Sequence, residues 1–319
     1  KVHLKNKMKD SKASFSAIGL AFDPKDSMGA NVGNNQGDQT VAPGAEREYT
    51  YYADPFNGET TSLVWDWGNV MTNPRNGLFG AVVVGPKGSK YRDPKTGADL
   101  SNKNAWAADV IIDRSVPGNE MRANYRDVAL FFQDEDNIIG TSFMPYVQNV
   151  AGLTGVNYRS EPYKFREEQG CSLGKVFQPC KADKPEDPAT PLIEAHAGEP
   201  VRIHVLGVSN EQNGMFSVEK HEWPIEPFMR GADLISVVEF SGSETIDAFL
   251  PSAGGMYRSP GDCVYSNQRL PYSQSGQWGY VRVLPSGDTR LLPLAGASAG
   301  TKSAEVEQPV AHAIPVAAK

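Results

Sequence analysis

Short apolar runs closed by turn clusters recur along the whole chain, and no other feature narrows its fold so far. VHLKN, SFSAIGLAF, REYTYYA, SLVWDW and LFGAVVVGP come first, separated by clusters such as DPKDSMGANVGNNQGD and DPFNGE. Those clusters are rich in the residues that supply turn conformations. REYTYYA alternates as a half-buried strand does, while LFGAVVVGP is continuously apolar, as in a core strand. A second set follows with YRDVALFFQDED, PVRIHVLGVS, NGMFSVEKHEWP, LISVVEFSGSETIDAFLP and WGYVRVLP. No stretch sustains a 3.6-residue period over several turns, and 31 Gly and 23 Pro fit the same picture. With 319 residues the chain is long enough for two domains, so the expected fold class is all-β, with two Greek-key β-sandwiches.

Residues 87–124 are polar and loop-rich around WAADVIIDRSV, a strand or connector. Residues 140–195 hold few periodic runs and are expected to wrap the second sandwich. The tail after about residue 286 closes with GASAGTKSAEVEQPVAHAIPVAAK, which has no aromatic residue. It reads as a linker or an extended arm laid over a neighbour, with disorder the plainer alternative. A net charge of −7 leaves no basic footprint, so nucleic acid is not an expected partner. No apolar run approaches the roughly 20 residues that cross a bilayer, so no transmembrane segment is expected. The opening KVHLKNKM has no signal-peptide pattern and is already strand-like. It is expected to lie inside a folded element, after a cleaved leader or further upstream sequence.

Of three cysteines, Cys171 and Cys180 bracket CSLGKVFQPC, a turn-rich loop that a disulfide can close, with two free thiols as the alternative. A bridge there points to a periplasmic or extracellular protein. Cys263 is left over and reads as a small buried hydrophobe. The five histidines, His3, His196, His204, His221 and His312, show neither HxH nor HExxH spacing. FFQDEDNIIG gathers Asp134, Glu135 and Asp136, but without the alternating spacing of a calcium loop; it reads as a solvated turn. His221 in EKHEWP reads as a hydrogen-bonded structural residue rather than a lone metal ligand.

Four separated stretches resemble the copper motifs of the multicopper oxidases, in particular the large bacterial, ceruloplasmin-like and manganese-oxidase-like members. That family carries copper on cupredoxin β-sandwiches through motifs of the forms HxHG, HSHxxxQxxxGLxG, HxxHxHGH and HCHxxxHxxxGM. The first falls on SFSAIGL, with Ser16 and Ile18 at histidine places before Gly19. The second falls on WGNVMTNPRNGLFG, where Gly77, Leu78 and Gly80 keep the frame while Trp67 and Asn69 fill the histidine places. On the third, GMFSVEKHEWP, the ligand places hold Gly214, Ser217 and Glu219, and His221 stands at a position that is not normally a ligand. The fourth, GDCVYSNQRLPYSQSGQWGYVRVL, keeps Gly276 and its final strand, with Ser266, Asn267, Gln268, Tyr272 and Gln277 at the ligand places.

The resemblance covers roughly residues 1–286 and implies two cupredoxin-like domains, 1–113 and 114–286. The first would lack its first strands, the second would carry the 140–195 insertion, and 287–319 would be an extended Ala/Pro-rich tail. A type 1 copper site needs a thiolate and two imidazoles. Cys263 lies upstream of the cysteine place, which Asn267 fills, and the next histidine after it is His312. Amides and hydroxyls bind copper weakly, but they can hydrogen-bond one another and keep the hairpin closed. No catalytic residue, metal ligand or cofactor is therefore expected in this chain, and copper is expected in the complete assembly. The implied function is a copper-free structural cupredoxin half, the C-terminal one, of a larger multicopper oxidase. Oxidation of a metal ion or phenol-like substrate, coupled to O2 reduction, would reside in upstream domains or a partner chain. The alternative is a stand-alone extracellular assembly module without oxidase activity. An active oxidase using unusual ligands is disfavoured by the histidine count.

Overall fold

A computed structural model of the chain describes residues 1–294 except 71, 75, 102, 136–152, 181–186, 211 and 228. The first part contributes β1 (Val2–Lys5), β2 (Ser16–Ala17), β3 (Ala21–Phe22), β4 (Glu46–Tyr49), β5 (Tyr51–Tyr52), β6 (Thr60–Trp65) and β7 (Phe79–Val84). The second part opens with β8 (Lys90–Arg92), β9 (Ala107–Ile111), β10 (Tyr125–Glu135) and β11 (Leu153–Val156). After the short helix α1 (Tyr163–Glu168) come β12 (Ile193–His196), β13 (Val201–Asn210), β14 (Gly214–Val218) and β15 (Trp223–Pro224). Next are β16 (Leu234–Ile235), β17 (Val237–Phe240), β18 (Thr245–Leu250) and β19 (Gly261–Asn267). A second short helix, α2 (Leu270–Gln274), leads into β20 (Trp278–Leu284).

Two sheets of the second part face one another. One is ordered β18-β13-β10-β9-β8, with β11 added to β10; the other is β12-β20-β19-β14-β17. Alternation along the strands turns Val128, Leu130 and Phe132 of β10 and Val201, Ile203 and Val205 of β13 inward. They meet Phe216, Tyr265 and Val281 from the opposite sheet. Each such side chain contributes roughly 1.5–3 kcal/mol by leaving water.

The other face of β10 and β13 is covered as well. Ala129, Phe131, Leu206 and Val208 pack on Leu63, Trp65 and Phe79 of the three-stranded sheet β2-β6-β7. These two parallel strands are thus buried on both sides, as parallel strands usually are. β8 and β9 belong to this sheet too, since β9 pairs with β10 from Ala107 to Val110. The second sheet accordingly starts well before residue 114, inside the stretch that the sequence assigns to the first unit.

Residues 161–177 lie against β20. The Trp278 indole donates to Glu161 O at 2.6 Å, the Tyr280 hydroxyl donates to Phe177 O, and the Arg166 guanidinium stands 5.6 Å over the Trp278 ring. Cys171 and Cys180 are bridged, their Cα atoms 4.8 Å apart. Residues 287–294, read from sequence as tail, are docked: Arg126 donates to Leu292 O at 2.7 Å, and Leu291 and Leu294 are buried. The rest of the tail, 295–319, lies outside the described residues. No described helix is long and apolar enough to cross a membrane.

Candidate functional site

The β19–α2–β20 hairpin and the neighbouring β14 bring most of the fourth-motif residues together with one from the third. Register sets Ser217 opposite Ser266 and Phe216 opposite Asn267. From there the polar side chains close on one another. Gln268 Nε2 donates to Ser217 Oγ at 2.5 Å and lies 3.2 Å from Ser266 Oγ. Asn267 Nδ2 donates to Gln277 Oε1 at 2.8 Å, while Asn267 Oδ1 accepts from the Met215 and Arg269 amides at 3.0 and 3.1 Å. Gln277 Nε2 crosses to the opposite sheet, donating to Gln133 O at 2.9 Å. Tyr272, buried on α2, lies 5.2 Å under the Arg269 guanidinium and its carbonyl accepts from the Gln277 amide.

The frame glycine of this motif has a steric cause. Gly276 has φ +117, and a Cβ on it would run into Ser160 Oγ and the Glu161 amide. Gly77 of the second motif behaves alike, with φ +105 and the Tyr158 ring where a Cβ would be.

The other motif places do not converge in this way. Ser16 sits on β2 opposite Trp65, and Ile18 and Trp67 are 39% and 40% exposed. The Asn69 amide bonds to Asp66, a buried carboxylate that also accepts from the Ser14 amide, the Gly68 amide and Asn73 Nδ2. Gly214 is pressed against the Phe240 ring, and the Glu219 amide bonds to Val264 O at 2.9 Å. His221 is a buried connector: its Nδ1 donates to Glu219 O at 2.8 Å and its Nε2 accepts from the Gly254 amide at 3.0 Å. Burial lowers its pKa, in keeping with a neutral ring. Asp134 and Glu135 do not form a turn; β10 runs through both, pairing them with Thr154 and Leu153, and Asp136 lies outside the described residues.

A second polar cluster has no motif in the sequence. Arg202 and His204 alternate with the apolar residues of β13, on the face that is sealed against β6. His204, fully buried, is held by Asp127 Oδ1 at 2.8 Å on Nε2 and by Asp247 Oδ1 and the Thr61 hydroxyl on Nδ1. Arg202 reaches Glu59 at 2.7 Å and Asp247 at 2.5 Å, and Arg122 also pairs with Glu59. Burial alone would lower the His204 pKa. The Asp127 charge and the bonds to both carboxylates outweigh it and raise the pKa to about 9. Burial would likewise raise Asp247, but His204 and Arg202 hold it well below the usual carboxylate range.

The residues gathered at the hairpin do not fit copper. Their donors are amide and hydroxyl groups engaged with each other or with nearby backbone, with no imidazole or thiolate among them. Cys263 points into the apolar core between the two large sheets. Among the described residues no group of three or more His, Cys, Asp or Glu is arranged to hold a metal ion.

Comparison with family models and with curated protein sequences found no match. Solved structures do match. The multicopper oxidase mgLAC is similar over 90% of this chain and 73% of its own, at 14% identity and a TM-score of 0.54. A blue copper oxidase from Nitrosomonas europaea is similar over 89% of this chain and 72% of its own, at 13% identity and TM-score 0.51. A copper nitrite reductase from the same organism is similar over 91% and 80%, at 12% identity and TM-score 0.51. At such identities the likeness speaks for architecture, and with the facing sheets above it makes this chain an all-β protein of the cupredoxin β-sandwich fold.

Proposed function

We propose that this chain is a copper-free structural cupredoxin half of a larger multicopper oxidase. The observation that carries the reading is the hairpin, where the residues at the family's ligand places satisfy one another by hydrogen bonds and keep the loop shut. Copper, and the oxidation of a metal ion or phenol-like substrate coupled to O2 reduction, then belong to upstream domains or a partner chain. The Cys171–Cys180 bridge supports a periplasmic or extracellular setting. A stand-alone extracellular module would keep the same closed hairpin but would be complete without a companion.

Metal analysis and intact-mass measurement test this together. The isolated chain is expected to carry no stoichiometric copper, and the native preparation to contain copper together with a larger histidine-rich polypeptide. One tightly bound copper per isolated chain would overturn the reading. A folded, copper-free monomer in the native preparation would assign the chain to the stand-alone class.

A further inference from the structure

β7 ends its sheet. Among the described residues it pairs with β6 alone, from Phe79 to Val84, so its other backbone edge has no strand opposite. All six residues, FGAVVV, are half-buried. Natural edge strands of this length are guarded by charge, by Pro or by a bulge. The other terminal strands of three or more residues follow that rule: β1 carries Lys5, β4 Glu46, β12 Glu194, β17 Glu239 and β18 Asp247. β8 presents Lys90 and Arg92. β11 has no charge, but the Val156–Arg159 bridge folds the chain back over it. On β7, Phe79 is capped by the Tyr158 ring at 4.7 Å, and Gly80, Ala81 and Val83 border open space.

That space is a groove of about 870 Å³, with Ala81 and Val83 on one wall and Trp106, Ala107 and Ala129 on the other. Its charged lining among the described residues is Lys103, Asp127 and His204, and the last two neutralise each other at 2.8 Å. A charged occupant would be desolvated there with little to pair with; an uncharged one would not. An open strand edge beside an apolar groove is the arrangement used in β-strand addition, where main-chain bonds give affinity and alternate side chains give specificity.

We propose that β7 and this groove accept an added strand, an extended uncharged segment with apolar residues at alternate positions, supplied by the cupredoxin-bearing polypeptide of the larger oxidase. The source of the strand rests on the scaffold reading above.

The test compares wild type with an Ala81→Lys/Val83→Lys double variant, each purified from the source organism with its companions, by native mass analysis and sequencing of the companion polypeptide. A companion bearing cupredoxin motifs is expected to stay with wild type and to bind the double variant at least about tenfold more weakly. Val237→Lys on the β17 edge should leave it bound. Hydrogen exchange gives a second readout: alternate amides of Phe79–Val84 should exchange fast in the isolated chain and slowly in the assembly. Thermal unfolding of the isolated variant matching wild type would show that binding, not folding, was lost. A companion retained by the double variant, with unchanged exchange at β7, would sink the strand site while leaving the scaffold reading intact. Wild type without any cupredoxin companion would overturn both. Protection of β7 by a second copy of this same chain would overturn the proposed occupant.

Discussion

The hairpin cluster and the β13 cluster are both buried, polar and hydrogen-bonded, yet they are built from different chemistry. Around Asn267 and Gln277 every partner is neutral, so the site was closed with groups whose charge no ordinary pH can change. Around His204 every partner but Thr61 is a carboxylate, three strands of one sheet are tied together through compensating charges, and the Thr61 hydroxyl joins them to β6. A neutral network holds shape cheaply; an ionic one is costly to break from one side, because each orphaned charge stays behind in the interior.

The sharpest way to strain that contrast is His204→Ala, which leaves Asp127 and Asp247 buried without their shared cation. A loss of about 3–5 kcal/mol is expected in urea unfolding. The same residue sets a pH dependence. Its pKa is near 6.5 when unfolded and about 9 when folded, so its contribution is complete below pH 6.5 and disappears as pH rises through 9. A decline of a few kcal/mol over that window is expected in wild type and should be absent from the His204→Ala variant. At the low end the sign reverses for Asp247. Its depressed pKa means that its contribution is present above the ordinary carboxylate range and is lost only in strong acid.

Next in size is Gln277→Ala, which removes the acceptor of Asn267 Nδ2 and a donor to Gln133 O and should cost about 1–3 kcal/mol. That loss should be the same at pH 6 and pH 9. A loss that grew with pH would erase the distinction between the clusters. The smallest effect belongs to Ile18→Ser, at a motif place 39% exposed, where unfolding should shift by no more than about 0.5 kcal/mol.

These two clusters also mark what could be read from the chain alone. Gly276 and Gly77 stood out because their backbones need positive φ where a neighbour leaves no room for a Cβ, a demand that does not depend on any ligand. The strands were legible through their apolar alternation, and the closure among Ser217, Ser266, Asn267, Gln268 and Gln277 followed from their hydrogen-bonding chemistry. Arg202 and His204 were not legible, because alternation with apolar residues looks the same whether the polar face meets water or another sheet. The brief α1 and α2 escaped for a simpler reason: helices of six and five residues have no period to detect. The second sheet's early start was hidden as well, since β8 and β9 join it through a polar, loop-rich stretch.

The parallel pair β10–β13 carries a consequence for how this chain comes into being. Val128 lies opposite Ile203, and between them in sequence stand β11, the disulfide loop and β12. No hairpin can bring such partners together, so a long loop must close before any of their contacts repay it. During synthesis Leu63 and Phe79 emerge early, and their cluster is not complete until Leu206 and Val208 have followed. The hazard of aggregation is therefore greatest while residues 63–79 have emerged and residues 206–208 have not, and a holdase acting on that nascent segment should raise the yield of folded protein.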